Sequence, residues 1–492
     1  MLRLGKREVV DVFYRMKEAF CLRGWEKLPY ALVDTAHENQ IMFLNETAFY
    51  ALQFCNGKID LSLPNIPAEV KKAISELEKS GIIEPCGFLN GISERQEYRK
   101  FPARFIRVAH WSVTGRCNYR CKHCYMSAPD AKYGELPHDT VMRIIDELAA
   151  CGVLRVSLTG GECLVRSDFL EIVDALLAKG IHITTIYSNG ALVKEKLLRA
   201  LDERGIHPEF NMSFDGVGYH DWLRGIDGAE EAVNRAFRLC REYGFPTGAE
   251  MCLFERNQYA LRDSVNHLAE LGCRSLKTNP VGNVGEWKRN GYGESISRDR
   301  LFQLYFDYIP HYYEDGLPLS IQLGGFFAAS PDEPNHYEIA SYKHCDDMTK
   351  MCVCGHARQV MYISPDGRAL PCMALSGMEV QEKFPLITEA GLSRCITDSF
   401  YMNFINTRAS EYMALHPDCQ ACRYAMYCLG GCRASALESG EDQSDLMAKD
   451  PACCDLFKKG WAVKIIRLMN EIRPEAESSV LREAFWRREA GI

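Results

Sequence analysis

The chain has 492 residues, 47% hydrophobic and 25% charged, a soluble globular composition too long for a single ordinary core. Its 58 basic and 66 acidic residues leave a net charge of −8, which excludes nucleic acid as the main partner. No apolar run reaches the roughly 18 residues that span a bilayer, and Met1 to Asp11 lacks a signal-peptide core, so no membrane partner and a cytoplasmic location with reduced thiols are expected.

Pattern and composition divide the chain into four stretches. Residues 1–100 read as a small winged-helix module. Tyr30–Thr35 and Gln40–Leu44 are predicted strands, and Glu46–Cys55 and Pro67–Ser80 are predicted amphipathic helices. Gly81 stands where a helix C-cap belongs, before a returning strand at Ile82–Ile83. Over residues 105–335, strands and helices alternate. The strands are Arg107–Thr114, Val153–Thr159, Ile181–Tyr187, Glu209–Phe214, Thr247–Leu253 and Ser275–Asn279. Between them lie helices at Asp139–Ala150, Phe169–Ala178, Lys194–Glu203, Glu230–Tyr243 and Leu261–Leu271. About six β/α units imply an α/β fold with a parallel sheet, doubly wound or curled into a partial barrel, with ligands at the C-terminal strand ends. Residues 340–456 are cysteine-rich with little periodicity, and residues 457–492 read as terminal helices.

Cysteine is the compositional outlier, with 22 residues, eleven of them between Cys345 and Cys454. In a reducing compartment such density points to metal rather than disulfides. Cys21, Cys55, Cys151, Cys240, Cys252, Cys273 and Cys395 are isolated and read as buried core residues. Cys117, Cys121 and Cys124 form C-x3-C-x2-C just after the first strand of the alternating region. Three thiolates on one loop hold three irons of a cubane and leave the fourth open. The competing reading is structural zinc, which prefers four ligands.

Further residues fall at the ends of successive strands: Gly160-Gly161-Glu162, then Tyr187-Ser188-Asn189-Gly190, then Ser213-Phe214-Asp215-Gly216, followed by Arg224-Gly225. Singly these are turn motifs. In this order and after the cysteine loop they resemble the radical SAM superfamily, whose core is a partial (β/α)6 TIM-like barrel. The resemblance implies S-adenosylmethionine (SAM) and a [4Fe–4S] cluster on Cys117, Cys121 and Cys124. It implies that Gly160, Gly161 and Glu162 hold the SAM amino group, that Ser188 and Asn189 lie in the ribose-contacting segment, and that Ser213 also binds the cofactor. His123 would pack on adenine, and Arg224 would pair with the SAM carboxylate. Cys163 stands where the family usually has proline.

Cys419-x2-Cys422-x5-Cys428-x3-Cys432, with Cys354 and Cys372 upstream and Cys453 downstream, resembles the auxiliary-cluster extension called SPASM. That resemblance implies two further [4Fe–4S] clusters. One takes Cys354, Cys372 and Cys432 with Cys345 or Cys352; the other takes Cys419, Cys422, Cys428 and Cys453, with Cys454 as substitute. Two structural zinc sites are the competing reading. Phe43–Ala48, Leu52-x2-Cys55-Asn56-Gly57 and Leu77-x3-Gly81-Ile82-Ile83 resemble the leader-binding chaperone of pyrroloquinoline-quinone biosynthesis. The implied protein is an enzyme that takes hydrogen from a ribosomally made precursor peptide with an N-terminal leader and forms a thioether cross-link. A flavodoxin or ferredoxin would supply electrons. A carbon–carbon cross-link is the alternative product, as is formylglycine, whose enzymes carry an acidic residue where this chain has Met373. An iron–sulfur electron carrier is the non-enzymatic alternative.

Overall fold

A computed structural model describes residues 11–130, 132–292, 295–439 and 443–492. The chain forms two compact units. The first comprises Met1–Arg107 with Asp146–Arg155 and Ala178–His182. It holds β1 (Phe13–Met16), β2 (Phe20–Gly24), β3 (Ala31–Asp34), β4 (Gln40–Phe43), β5 (Ile83–Cys86) and β6 (Arg99–Lys100). β4, β3, β2 and β6 form one sheet in that order, and β1 pairs with β5. Val70, Ile74 and Leu77 recur at helical spacing along Ala68–Lys79 and bury their face with Leu22, Leu32, Phe49, Leu52 and Ile83. Asn45 caps the helix Glu46–Phe54 by accepting from the Ala48 N–H, and Gly81 takes the left-handed φ of +71° that its cap position requires. β1 and β2 were not expected from the sequence.

The second unit is built on β7 (Val108–Ser112), β8 (Arg155–Thr159), β9 (His182–Ser188), β10 (Glu209–Ser213), β11 (Thr247–Leu253), β12 (Ser275–Pro280) and β13 (Ser320–Leu323), neighbours in chain order and all parallel. This is an α/β fold with a sheet consistent with a partial TIM barrel. β14 (Phe327–Ala329) and β15 (Tyr337–Glu338) extend it antiparallel beyond β13. β16 (Val360–Ile363) lies parallel to β7, and β17 (Ala369–Leu370) antiparallel to β16. The cysteine-rich stretch therefore adds its own strands to the main sheet.

Each face of this sheet has its own chemistry. Ile186, Phe210 and Met212 are buried apolar positions of β9 and β10 on one face. The alternate positions Tyr187, Asn211 and Glu250 sit in register with one another or with Ser213 and Lys277 and carry polar groups. A polar interior ending in the loops after β7 to β12 is where a buried ligand finds partners.

Candidate active site

The loop after β7 carries Cys117, Cys121 and Cys124, and neighbouring segments hold it at both ends. Lys122 N donates to the Leu223 carbonyl at 2.9 Å, and Glu286 N to the Cys124 carbonyl at 2.9 Å. A Cβ at Gly225 would lie 2.4 Å from the Arg120 carbonyl oxygen, so the glycine after Arg224 is what lets its helix approach the loop. Each sulfur has a nitrogen donor nearby: Tyr119 N to Cys117 Sγ at 3.4 Å, Ala128 N to Cys124 Sγ at 3.3 Å, and Arg224 Nη1 to Cys121 Sγ at 3.8 Å. Burial pushes the Cys117 thiol up to about 12 and the Cys124 thiol to about 11, and raises that of Cys121. Thiolates there need positive charge beside them, which iron supplies, and N–H donors of this kind surround cluster sulfurs. The donor set fits a [4Fe–4S] cluster with an open iron.

The strand-end motifs meet this loop. Gly161 N donates to the Thr114 carbonyl at 2.8 Å and Glu162 N to the Arg116 carbonyl at 2.9 Å. A Cβ at Gly161 would sit 2.3 Å from that Arg116 oxygen. Asn189 Nδ2 donates to Asn118 Oδ1 at 2.8 Å. Together Cys117, Cys121, His123, Cys124, Gly160, Gly161, Ser188, Asn189, Ser213 and Arg224 line one cavity of about 290 Å3.

Glu162 is the expected residue that the cavity does not include. Its carboxylate accepts from Asn189 N at 2.7 Å, Ser188 Oγ at 3.1 Å and Leu164 N at 3.2 Å, and it is 1% exposed. Burial pushes it up to about 7, against the pull of the Asn189 and Leu164 N–H groups. It therefore ties the second strand end to the third.

Arg224 and Asp215 form a buried pair. Burial opposes the Asp215 charge, but Arg224, His220 and His123 outweigh it and hold the carboxyl well below its usual range. His123 Nδ1 is buried without a partner among the described residues. Burial, with Arg224 alongside, lowers the ring to about 4, so it stays neutral and free to stack. Cys252, expected in the core, instead lines the cavity and comes within 4.8 Å of His123 and Asp215 ligand atoms. The other isolated cysteines, Cys21, Cys55, Cys151, Cys240, Cys273 and Cys395, are buried. Sequence reasoning also missed Glu250, Asn211 and Asn279 from the sheet, and Glu438 from the cysteine-rich stretch, all in the cavity wall with Met373. Their strand parity was the one available signal for the first three.

Further along, Cys354, Cys372 and Cys432 face one another. Cys428 and Cys453, both free thiols, are hydrogen-bonded side chain to side chain, and Cys419 faces Cys428. Cys422 packs beside Cys419 around Tyr412 and Val353. Cys454 is half-buried and also faces Cys428 and Cys419. Cys352 Sγ is met by Arg358 Nη1 at 3.0 Å and Arg408 Nη1 at 3.2 Å, whereas Cys345 packs with Ala409, Leu429 and Met348. Asp450 joins the two cysteine groups: it accepts from Cys432 N at 2.8 Å and from Ala452 N at 2.9 Å, capping the helix that carries Cys453.

Residues 111–268 match the sequence model of the radical SAM superfamily. The PqqA peptide cyclase of Granulibacter bethesdensis is 28% identical over 355 residues, 69% of this chain and 85% of that protein. The antilisterial bacteriocin subtilosin biosynthesis protein AlbA of Bacillus subtilis is 23% identical over 343 residues, 68% of each. Streptococcus suis SuiB bound to precursor peptide SuiA shares the fold with a TM-score of 0.63 at 16% identity, over 90% of this chain and 100% of that one. Native anSMEcpe with bound AdoMet and Cp18Cys peptide does so with a TM-score of 0.55 at 18% identity, over 75% and 99%.

Proposed function

We propose that this chain, a radical SAM enzyme, is a peptide maturase that forms a thioether cross-link in a ribosomally made precursor. The observation that carries the reading is the single cavity shared by Cys117, Cys121 and Cys124 with the strand-end residues Gly160, Asn189, Ser213 and Arg224. SAM on a [4Fe–4S] cluster there supplies a 5′-deoxyadenosyl radical, the hard chemistry that belongs to the cofactors. The chain's own residues bind and orient. Arg224, fixed by Asp215, faces the SAM carboxylate; Gly160 and Gly161 let backbone approach the amino group; neutral His123 stacks on adenine; Ser188, Asn189 and Ser213 surround the ribose.

The relatives' names supply the substrate class, a peptide or bacteriocin precursor. The leader is assigned to the outer edge of β4, which pairs with no strand among the described residues and carries exposed Met42 and Phe43, a geometry suited to strand addition. Cys354, Cys372 and Cys432 are assigned to one auxiliary cluster and Cys419, Cys422, Cys428 and Cys453 to another. The fourth ligand of the first is Cys345 or Cys352. A cytoplasmic flavodoxin or ferredoxin is the assigned electron donor. Met373 puts an apolar side chain in the cavity wall where formylglycine-forming enzymes have an acid, which favours a cross-link.

The test is anaerobic incubation of the reconstituted protein with SAM, a reductant and the precursor. The expected product has lost two hydrogen atoms and one alkylatable thiol. Loss of two hydrogens with every thiol intact would replace the thioether by a carbon–carbon bond. No deoxyadenosine at all would reject the enzyme reading.

A further inference from the structure

Glu438 lies on the helix Arg433–Ser439, six residues after Cys432, and reaches the cavity from the cysteine-rich side. Its carboxylate rests against Gly282, where a Cβ would come within 3.6 Å of Cδ and 3.7 Å of Oε1. Among the described residues, no cation and no N–H or O–H donor meets it; burial and Asp450 are what act on it, and both push its carboxyl up, to about 7. Gly440, Glu441 and Asp442, which follow the helix, bring no cationic side chain. Glu250, also in the wall, has Lys277 Nζ at 3.9 Å, too far for a good hydrogen bond. Asn211 Oδ1 is a third acceptor, buried without a donor. Among the described residues, the one Arg or Lys of the wall, Arg224, is already bonded to Asp215.

A half-buried carboxylate in a cavity wall, with no donor beside it among the described residues, is an acceptor that a ligand can complete. We propose that Glu438 is a specificity-determining residue that receives a positively charged side chain, lysine or arginine, of the peptide entering this cavity. The inference rests on the reading that the cavity admits the peptide. SAM also carries positive charge and offers the same chemistry from a second source. Arg224 and the motif residues, on the loops after β7 to β10, are assigned to SAM, so the wall from the cysteine-rich segment is left for the peptide.

The probe pair is n-butylguanidinium and its neutral counterpart n-butylurea. Each is titrated calorimetrically into the full-length, anaerobically reconstituted protein saturated with SAM. The expected result is a preference for the cation of about tenfold in the parent, lost in Glu438→Gln and Glu438→Ala. SAM affinity should stay within about twofold, because Glu438 is assigned to peptide rather than SAM. Equal affinity for the two probes in the parent, or a preference that survives both substitutions, overturns the proposal. So does a fall in SAM affinity in both variants, which would assign the carboxylate to SAM. Iron content and peptide-independent deoxyadenosine formation, read on the same samples, separate this failure from failure of the enzyme reading.

Discussion

Arg224 is fixed by Asp215: its Nε donates to fully buried Oδ2 at 2.6 Å, and its Nη1 is left 3.8 Å from Cys121 Sγ. Asp215 is itself held, with Oδ1 accepting from Cys252 N at 3.0 Å and its carbonyl accepting from Asn257 Nδ2 at 2.8 Å. In Asp215→Asn the guanidinium loses its counter-charge while still buried, which costs about 3–5 kcal/mol. Both Asp215→Asn and Arg224→Ala should lower SAM affinity by roughly 30-fold or more, and Arg224→Lys should recover only part, since it keeps charge but not the planar fork. Equilibrium SAM titration and urea unfolding check this. Unchanged SAM affinity in all three variants would remove the pair from the site.

The thiol loop gives a compositional prediction. With one cubane at Cys117, Cys121 and Cys124 and two from the later cysteines, reconstituted protein should hold about twelve irons. Changing the three loop cysteines to Ala should remove about four of them and abolish deoxyadenosine formation, while the other two clusters remain. Metal analysis and chromatography of the cleavage products decide it. Protein purified without oxygen that carries zinc and no iron would end the cluster assignment.

Much of this was legible in the sequence because the motifs sit at strand ends and strand parity is strict. Phe169–Ala178 and Thr247–Leu253 have the predicted bounds, and the loops after them are short. The failures concern orientation and long-range partners. Cys252 looked like core because an apolar strand such as Thr247–Leu253 does not reveal which face meets the cavity. The bond from the N–H of Asn189 to Glu162, 27 residues away, is a long-range pairing that motif spacing does not show. Glu438 had no signal at all, since only the tertiary path of the cysteine-rich segment brings its short helix to the barrel mouth. β1 and β2 were missed because neither Phe13–Met16 nor Phe20–Gly24 alternates cleanly; their burial comes from packing against the two helices of that unit.

Glu162 predicts a pH dependence. Its folded value is raised to about 7, chiefly by burial, above the ordinary 4.5. Between those values the folded state holds a proton that the unfolded state has released, so stability falls as pH rises through this window. The loss is of order 3 kcal/mol by pH 7. Glu162→Gln cannot titrate and should flatten the wild-type decline between pH 5 and 7 measured by urea unfolding. Glu162→Ala should be worse than Gln at every pH, because it leaves the buried Asn189 N–H without an acceptor, at about 1–3 kcal/mol. A wild-type stability that stays flat across this window, after correction by the Gln variant, would show the carboxylate to be ionised throughout.

The outer edge of β4 yields the remaining prediction. Leu44 N donates to the Tyr30 carbonyl at 3.0 Å, and Met42 lies opposite Leu32 in the ladder. Antiparallel alternation therefore turns the N–H groups of Ile41 and Phe43 outward, away from β3. Phe43 is 52% exposed and meets Phe105 edge-on at 5.4 Å, so its side chain is separable from its backbone role. Phe43→Pro removes one outward donor and blocks the approach of another strand, while costing β4 no bond to β3. Phe43→Ala removes the side chain alone. If the precursor's leader adds as a strand here, Pro should weaken precursor affinity by about tenfold and Ala by clearly less, since a lost backbone bond is worth about 0.5–1.5 kcal/mol and the blocked edge adds to it. Peptide-independent SAM cleavage should not change in either variant, because the cofactor residues lie in the other compact unit. Fluorescence anisotropy with the labelled precursor reads the affinities. Equal binding by the Pro variant and the parent would move leader recognition off this edge.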